Sequence, residues 1–312
     1  MDHAATPRDN RKHEKNVRAA PGPNAESDNH GRRTDGLSRR DPGHSATKLP
    51  PESRGGPSSG TGSGHGQGAG GGNYWVYGHH AVAAALGNPQ RRIQRILAVD
   101  DAAAAIGRGE MRGAGPTLPP IEAADRDTLD RLLGRDAVHQ GIAARVAPLP
   151  ETDIYEICDL AQSRERASVV VLDQVTDPHN VGAILRSAAA FGALAIILTE
   201  RHAAPESGVL AKAASGALEH VPIARVTNLV RAMGALKEAG FWCLGLAAEG
   251  RQTLAEVKSG GRIALCLGAE GAGLRRLTRE HCDLLVRLPT SGPIDHLNVS
   301  NAAAISLYEM VR

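Results

Sequence analysis

The C-terminal segment, residues 284–312, constrains the fold most, because a strand, a loop and a helix follow one another there directly. Leu284–Leu288 is an apolar run typical of a short buried strand, and Pro289 interrupts it. Asn298 or Ser300 can then cap a helix whose small and apolar residues recur at helical spacing. A loop between a strand end and a helix start offers free backbone N–H groups, so this segment predicts a ligand site in an α/β protein.

Apolar runs of strand length alternate with helical patterns throughout residues 167–312. Val169–Leu172, Leu194–Leu198 and Ile263–Leu267 are three such runs, each followed by a helical pattern or a loop. Strands that are apolar at every position are typical of parallel sheets buried on both faces. The alternation therefore predicts a mostly parallel sheet with helices on both faces.

Three segments together resemble the signature motifs of the SPOUT class of RNA methyltransferases, and within it the TrmH family of 2′-O-ribose methyltransferases. The first motif runs from Asp173 to Gly192, the second from Leu267 to Leu274, and the third is Leu297–Ser300 ahead of a helix rich in small residues. The resemblance implies a deep trefoil knot, in which the C-terminal segment is threaded through a loop. It also implies that the knot loops hold S-adenosylmethionine.

The resemblance assigns roles to individual residues. Asn180 is expected to orient the RNA ribose, Arg186 to grip the adjacent phosphate, and Glu270 to be the acidic active-site residue, while Asn298 completes the third motif. A capping Asn, a solvated Arg and a first-turn carboxylate are the ordinary structural interpretations of the first three. The cofactor is expected to contact Gly268, Leu288, Leu297 and Ser300.

Position 296 departs from the third motif, because His296 stands where many relatives of this class carry Ser. Histidine exchanges protons near pH 7, whereas a guanidinium is not expected to lose its proton in a protein. We hypothesise that Arg186 holds charge while Glu270 or His296 assists the proton of the ribose hydroxyl. A tolerated loop residue is an equally good interpretation of His296.

Two other kinds of site are disfavoured. The glycines of Gly268–Gly273 follow a late strand in the order G-x-x-G-x-G, which differs from the dinucleotide fingerprint G-x-G-x-x-G. The four cysteines lack C-x-x-C pairing, so neither a disulfide framework nor a metal site is expected. They are interpreted as buried small hydrophobic residues: Cys158, Cys243, Cys266 and Cys282.

Composition divides the chain into four parts. Residues 1–72 contain no Phe, Trp, Tyr or Ile and are crowded with Gly, Ser, Pro and Arg, so we expect a disordered basic tail. Residues 73–148 have the pattern of a compact α/β unit and resemble the small ribosomal-protein-like RNA-binding domain that precedes the catalytic domain in the ribosomal RNA branch of the family. A linker over 149–166 and a SPOUT methyltransferase domain over 167–312 complete the prediction.

The net charge says little about partners, since 36 Lys and Arg against 34 Asp and Glu leave +2. The resemblance of the small domain to the one found in the ribosomal RNA branch implies 2′-O-methylation of a guanosine in large-subunit (23S) ribosomal RNA. A transfer RNA methyltransferase and a non-catalytic ribosome-assembly factor are the alternatives. The resemblance implies a homodimer, with Ile305, Leu307, Tyr308 and Val311 as expected interface residues. A cytoplasmic location without metal or membrane contact is also expected.

Overall fold

The computed structural model describes residues 72–109, 118–257, 260–294 and 296–312. The tail predicted over residues 1–72 lies outside the described residues, apart from Gly72. All described residues belong to one compact unit. Within them, no helix is long and apolar enough to cross a membrane.

The first four strands of the described chain are β1 (Tyr74–Tyr77), β2 (Ile93–Ala98), β3 (Ile121–Ala123) and β4 (Ile142–Val146). They make one small sheet in the order β1-β4-β2-β3. β4 pairs antiparallel with both of its neighbours, and β3 pairs parallel with β2. Three described helices lie between these strands in the sequence: α1 (His79–Gly87), α2 (Asp100–Gly107) and α3 (Arg126–Leu133).

A seven-stranded sheet follows, in the order β7-β6-β5-β10-β8-β11-β9, and every pairing in it is parallel. The predicted mostly parallel α/β class is thereby confirmed, and the trefoil knot stays a prediction. The elements are α4 (Ile154–Gln162), β5 (Ala167–Asp173), α5 (Pro178–Ala190), β6 (Ala195–Thr199), α6 (Gly208–Ala214), β7 (Ile223–Val226), α7 (Leu229–Glu238), β8 (Phe241–Leu246), β9 (Gln252–Thr253), β10 (Arg262–Gly268), α8 (Arg276–His281), β11 (Leu284–Arg287) and α9 (Val299–Val311).

Side chains of the central strands alternate between two buried layers. Val170 and Leu172 of β5 join a core cluster with α5, α6 and the interior of the small sheet. Val169 and Val171 point the other way and pack with α4 and α7. The small sheet therefore shares its apolar core with one face of the large sheet. Three of the four cysteines are buried in the described structure and Cys282 is half-buried.

The start of α5 differs from the interpretation of Asn180 as a helix cap. Asp177 caps the helix by accepting the amide N–H of His179 at 3.0 Å, and Pro178 occupies the first turn, where a missing N–H costs nothing. Asn180 is therefore inside the first turn rather than at the cap. Its side-chain amide is left for another contact.

The helices α5 and α6 meet at a glycine. A Cβ atom at Gly182 would lie 2.5 Å from Ala213 Cβ and 2.6 Å from the carbonyl oxygen of Leu210, so only glycine permits this approach. α6 in turn touches the small sheet, where a Cβ at Gly208 would lie 2.3 Å from the Trp75 carbonyl oxygen. α6 is thus wedged between the small sheet and α5.

We expect Gly182→Ala to lower the free energy of unfolding by about 1–3 kcal/mol, because the added methyl group overpacks the α5–α6 contact. Urea denaturation measures the change. Gly234→Ala in α7 is the matched control, since its Cβ meets nothing within 4 Å, and we expect it to stabilise by up to about 1 kcal/mol. Equal effects of the two substitutions would contradict the close approach at Gly182.

Candidate active site

A cavity of about 930 Å³ opens at the carboxyl ends of β8, β10 and β11. This is the edge of a parallel sheet at which α/β proteins bind ligands. Leu246, Leu267 and Val299 give it apolar walls, and Glu249 and Thr290 add polar groups. Its lining includes six of the residues singled out in the sequence: Gly268, Glu270, Leu288, His296, Leu297 and Asn298.

The second motif forms a tight loop that closes on itself. Gly273 donates its amide N–H to the carbonyl oxygen of Ala269 at 2.9 Å, with Gly271 and Gly273 in the left-handed region at φ of 76° and 66°. A Cβ on Gly268 would lie 2.0 Å from the carbonyl carbon of Gly273, so no side chain fits at the loop entrance. The loop is therefore folded back on its own backbone, with exposed Glu270 at its tip.

Hydrogen bonds join one residue from each of the three motifs. Asn298 Nδ2 donates to Glu270 Oε1 at 2.5 Å and to Asn180 Oδ1 at 3.0 Å. Asn180 Nδ2 donates to the same Glu270 oxygen at 3.2 Å, and Asn180 is 9% exposed. Two amides thus fix the direction of one carboxylate oxygen. Residues that are far apart in the sequence become a single polar cluster at the cavity.

Asn298 also caps α9. Its Oδ1 accepts the backbone N–H of Ser300 at 2.9 Å and that of Asn301 at 3.4 Å. The Ser300 hydroxyl donates to the same oxygen at 2.5 Å. Of the two caps considered from the sequence, Asn298 is the observed one. Ser300 supports this cap and does not line the cavity, so its cofactor contact stays a prediction.

Comparison with known proteins identifies the chain. Residues 167–308 match the SpoU rRNA Methylase family, and residues 75–152 match the RNA 2′-O ribose methyltransferase substrate binding family. Over 247 residues the chain is 43% identical to the Escherichia coli 23S rRNA (guanosine-2′-O-)-methyltransferase RlmB, covering 76% of this chain and 97% of that protein. The chain belongs to the SpoU rRNA methylase family. The resemblance found in the motifs is thereby confirmed.

Two further proteins are similar to this chain. An uncharacterized tRNA/rRNA methyltransferase of Synechocystis is 42% identical over 239 residues, which span 76% of this chain and 62% of that relative. The crystal structure of the SpoU methyltransferase AviRb from Streptomyces viridochromogenes, in complex with AdoMet, superposes with a TM-score of 0.63 and 26% identity. That superposition covers 77% of this chain and 89% of the AviRb chain.

Arginines around this SpoU site fall into two groups. Those that follow the second motif are paired: Arg275 with Asp173, Arg276 with Glu280, and Arg279 with Glu249. Arg186 of the first motif is exposed, and within the described part of the chain no carboxylate pairs with it. It does not line the cavity of its own chain. The charge of Arg186 is therefore available to a bound ligand or to a second copy of the chain.

Sequence reasoning missed Asp173 as part of the site. This carboxylate is fully buried at the end of β5, where it accepts the Arg275 backbone N–H at 2.9 Å and Arg275 Nε at 2.6 Å. It thereby ties the exit of the Glu270 loop to the strand that leads into the first motif. The sequence did offer a signal, because Asp173 directly follows the apolar residues of a predicted strand. A carboxylate buried at such a position needs a charged or hydrogen-bonding partner.

We expect Asp173→Asn to speed hydrogen exchange at the Arg275 amide and through residues 269–275, because the anchoring charge is lost. A hydrogen bond to a charged group is worth about 1.5–3 kcal/mol, so exchange should accelerate by roughly 10- to 100-fold. Mass spectrometry measures the rates. Glu280→Gln, which breaks only the exposed pair with Arg276, is the control and should leave this segment unchanged. Unchanged exchange in both variants would refute the anchor.

Proposed function

We propose that this protein is an S-adenosylmethionine-dependent RNA methyltransferase that methylates the 2′-hydroxyl of a guanosine in 23S rRNA. The joining of Asn180, Glu270 and Asn298 at one cavity supports this proposal most directly. The identity to E. coli RlmB across nearly its whole length supports the substrate. The match of residues 75–152 to a substrate-binding family favours ribosomal RNA over transfer RNA. The similarity to a bacterial rRNA methyltransferase favours a cytoplasmic location.

The cavity fits the cofactor. Its volume of about 930 Å³ lies within the range of about 300–1,000 Å³ found for small-molecule and cofactor sites. Leu288, Leu297 and the bare backbone of Gly268 are the groups we assign to hold it. S-adenosylmethionine, when bound, supplies a methyl group activated by the positive charge on its sulfur.

The chain's own residues must orient the ribose and manage a proton. A ribose hydroxyl is scarcely acidic at neutral pH, so a proton acceptor has to lie beside it during the reaction. Asn180 and Asn298 both meet Glu270 Oε1, and we assign Oε2 to the hydroxyl proton. This develops the original hypothesis in favour of Glu270 over His296. A guanidinium keeps its proton, so Arg186 is assigned to a phosphate rather than to the base.

A homodimer completes the proposal. Ile305, Tyr308 and Val311 are 46%, 53% and 51% exposed along one side of α9, whereas Leu307 is buried within the chain. Leu307 is therefore not assigned to the interface, because its side chain packs in the core of its own chain. Because Arg186 does not line its own cavity, a second subunit that places its own copy of this arginine at the site is consistent with the geometry.

We expect the protein to transfer methyl groups from S-adenosylmethionine to a 23S rRNA transcript, with one modified guanosine in a ribose-methylation map. Glu270→Gln should lower kcat by about 10²- to 10⁴-fold, because it removes the proton acceptor while keeping the size of the side chain. Cofactor affinity measured by calorimetry should stay close to that of the wild type.

His296→Ser is the comparison variant, because it replaces the titratable ring with the residue that many relatives carry. Its turnover should be unchanged across pH. Loss of activity in His296→Ser with a normal Glu270→Gln enzyme would reverse the assignment. If the wild type does not bind the cofactor, a non-catalytic assembly factor is favoured instead. If the wild type methylates transfer RNA alone, the substrate is transfer RNA and not 23S rRNA.

We expect Tyr308→Glu to convert the dimer to a monomer in light scattering, because a carboxylate on the apolar side of α9 cannot be desolvated cheaply. Leu160→Glu on α4 is the control, since Leu160 is equally exposed, at 52%, away from α9. A wild-type monomer at working concentration would exclude the dimer.

A further inference from the structure

Arg91 is the largest fully buried polar side chain in the described structure, and it lies where the small sheet meets α6. Its side chain is 0% exposed, although its position in the turn before β2 would normally leave an arginine in solvent. Two glutamates of the other domain surround it. Glu206 precedes α6 and Glu219 follows it, so one guanidinium meets both ends of this short segment.

Each of the three guanidinium nitrogens has a hydrogen-bond acceptor. Arg91 Nη2 donates to Glu219 Oε1 at 2.7 Å, and Nε donates to both oxygens of that carboxylate at 3.1 and 3.0 Å. Nη1 donates to Glu206 Oε1 at 2.9 Å and to the Ala147 carbonyl oxygen at 2.8 Å. A planar fork bound in this way admits one orientation. Arg91 therefore fixes direction as well as distance between the two domains.

Two more side chains of the small domain reach the same carboxylates. The Tyr74 hydroxyl donates to Glu206 Oε1 at 2.5 Å, and Asn88 Nδ2 donates to Glu219 Oε2 at 2.8 Å. Burial, and next the charge of Glu206, raise the pKa of Tyr74 well above its ordinary value, so its hydroxyl keeps the proton that it donates. The cluster thus contains a single cation between two carboxylates, with neutral donors on both.

A buried ion pair gains little stability over apolar packing of the same shape, whereas loss of one partner is costly. Its effect is to select one arrangement. From this cluster the contact continues through α6 to Gly182 of α5, and α5 carries Asn180 into the active site. The orientation of the small domain is therefore transmitted through packed backbone to the polar cluster at the cavity.

We propose that Arg91 is a positioning residue that holds the small domain at a fixed orientation to the cavity, and that this fixed spacing selects which nucleotide of a bound RNA is methylated. The proposal rests on the proposed function for its RNA readout. Its geometric part, the fixed orientation, stands independently.

Arg91→Met tests the proposal in the full chain, because it keeps the bulk of the side chain and removes the fork. Spin labels at Arg135→Cys and Glu238→Cys report the distance between the domains, in a Cys282→Ser background because the other three cysteines are buried. We expect Arg91→Met to broaden the distance distribution. The methylation map should show lower kcat/KM at the wild-type guanosine, by about 10- to 100-fold, with new methylation at neighbouring nucleotides. Cofactor affinity should be retained.

Arg95→Met is the matched control for the distances, because Arg95 pairs only within the small sheet, with Glu122. Its distribution should stay narrow. If Arg91→Met fails to fold, the triple variant Arg91→Met, Glu206→Gln and Glu219→Gln removes all three charges together and should show the same broadening.

A folded Arg91 variant with a narrow distribution and an unchanged methylation site would overturn the proposal. Arg91→Lys should restore the site only in part, since an ammonium cannot reproduce the fork. If the wild type methylates no nucleotide of 23S rRNA, the proposed function fails. The distance distribution then decides by itself whether Arg91 orients the small domain.

Discussion

The hydrogen bonds around Glu270 Oε1 are the contact on which the site depends. They join the first turn of α5, the loop after β10 and the cap of α9, three elements that only the parallel sheet brings to one edge. Asn298 serves two contacts at once, because its oxygen caps α9 while its amide holds the Glu270 carboxylate. A substitution there removes a helix cap and a hydrogen bond to the proposed proton acceptor together, so activity measurements alone do not separate the two effects.

The arginines that follow the second motif are all paired with carboxylates, which limits the charge they offer to RNA. Arg275 is bound by a buried carboxylate, and Arg276 and Arg279 are paired on or beside α8. A paired arginine must release its partner before it contacts a phosphate, which weakens the gain from binding. Arg186, with no carboxylate partner in the described part of the chain, needs no such exchange. The site's selectivity for RNA is thus expected to rest on few cations and on geometry.

The sequence was sufficient to predict the parallel sheet and most of the residues at the cavity, because buried strands and motif loops leave strong local patterns. It could not reveal what depends on distant pairing. Asn180 is a residue type that often caps helices. The structure shows that Asp177, three residues earlier, is the cap of α5, and that the Asn180 amide donates to Glu270 instead. Arg91 has the pattern of a solvated turn residue, although Glu206 and Glu219 bury it completely. β3 is too short for its pattern to be recognised without its partner strand β2.

Rigidity links the two ends of the molecule. The apolar core runs without a break from the small sheet through α6 and α5 to the large sheet, and packed interiors transmit displacement because they contain few voids. Gly182 and Gly208 bring these backbones into direct contact. Because no flexible side chains lie between them, a shift of the small sheet is passed on to α6 and α5. The residues that match the substrate-binding family are therefore packed rigidly against the elements that form the cavity. Under the function proposed above, RNA held by the small domain is presented to Glu270 in the geometry that this packing sets.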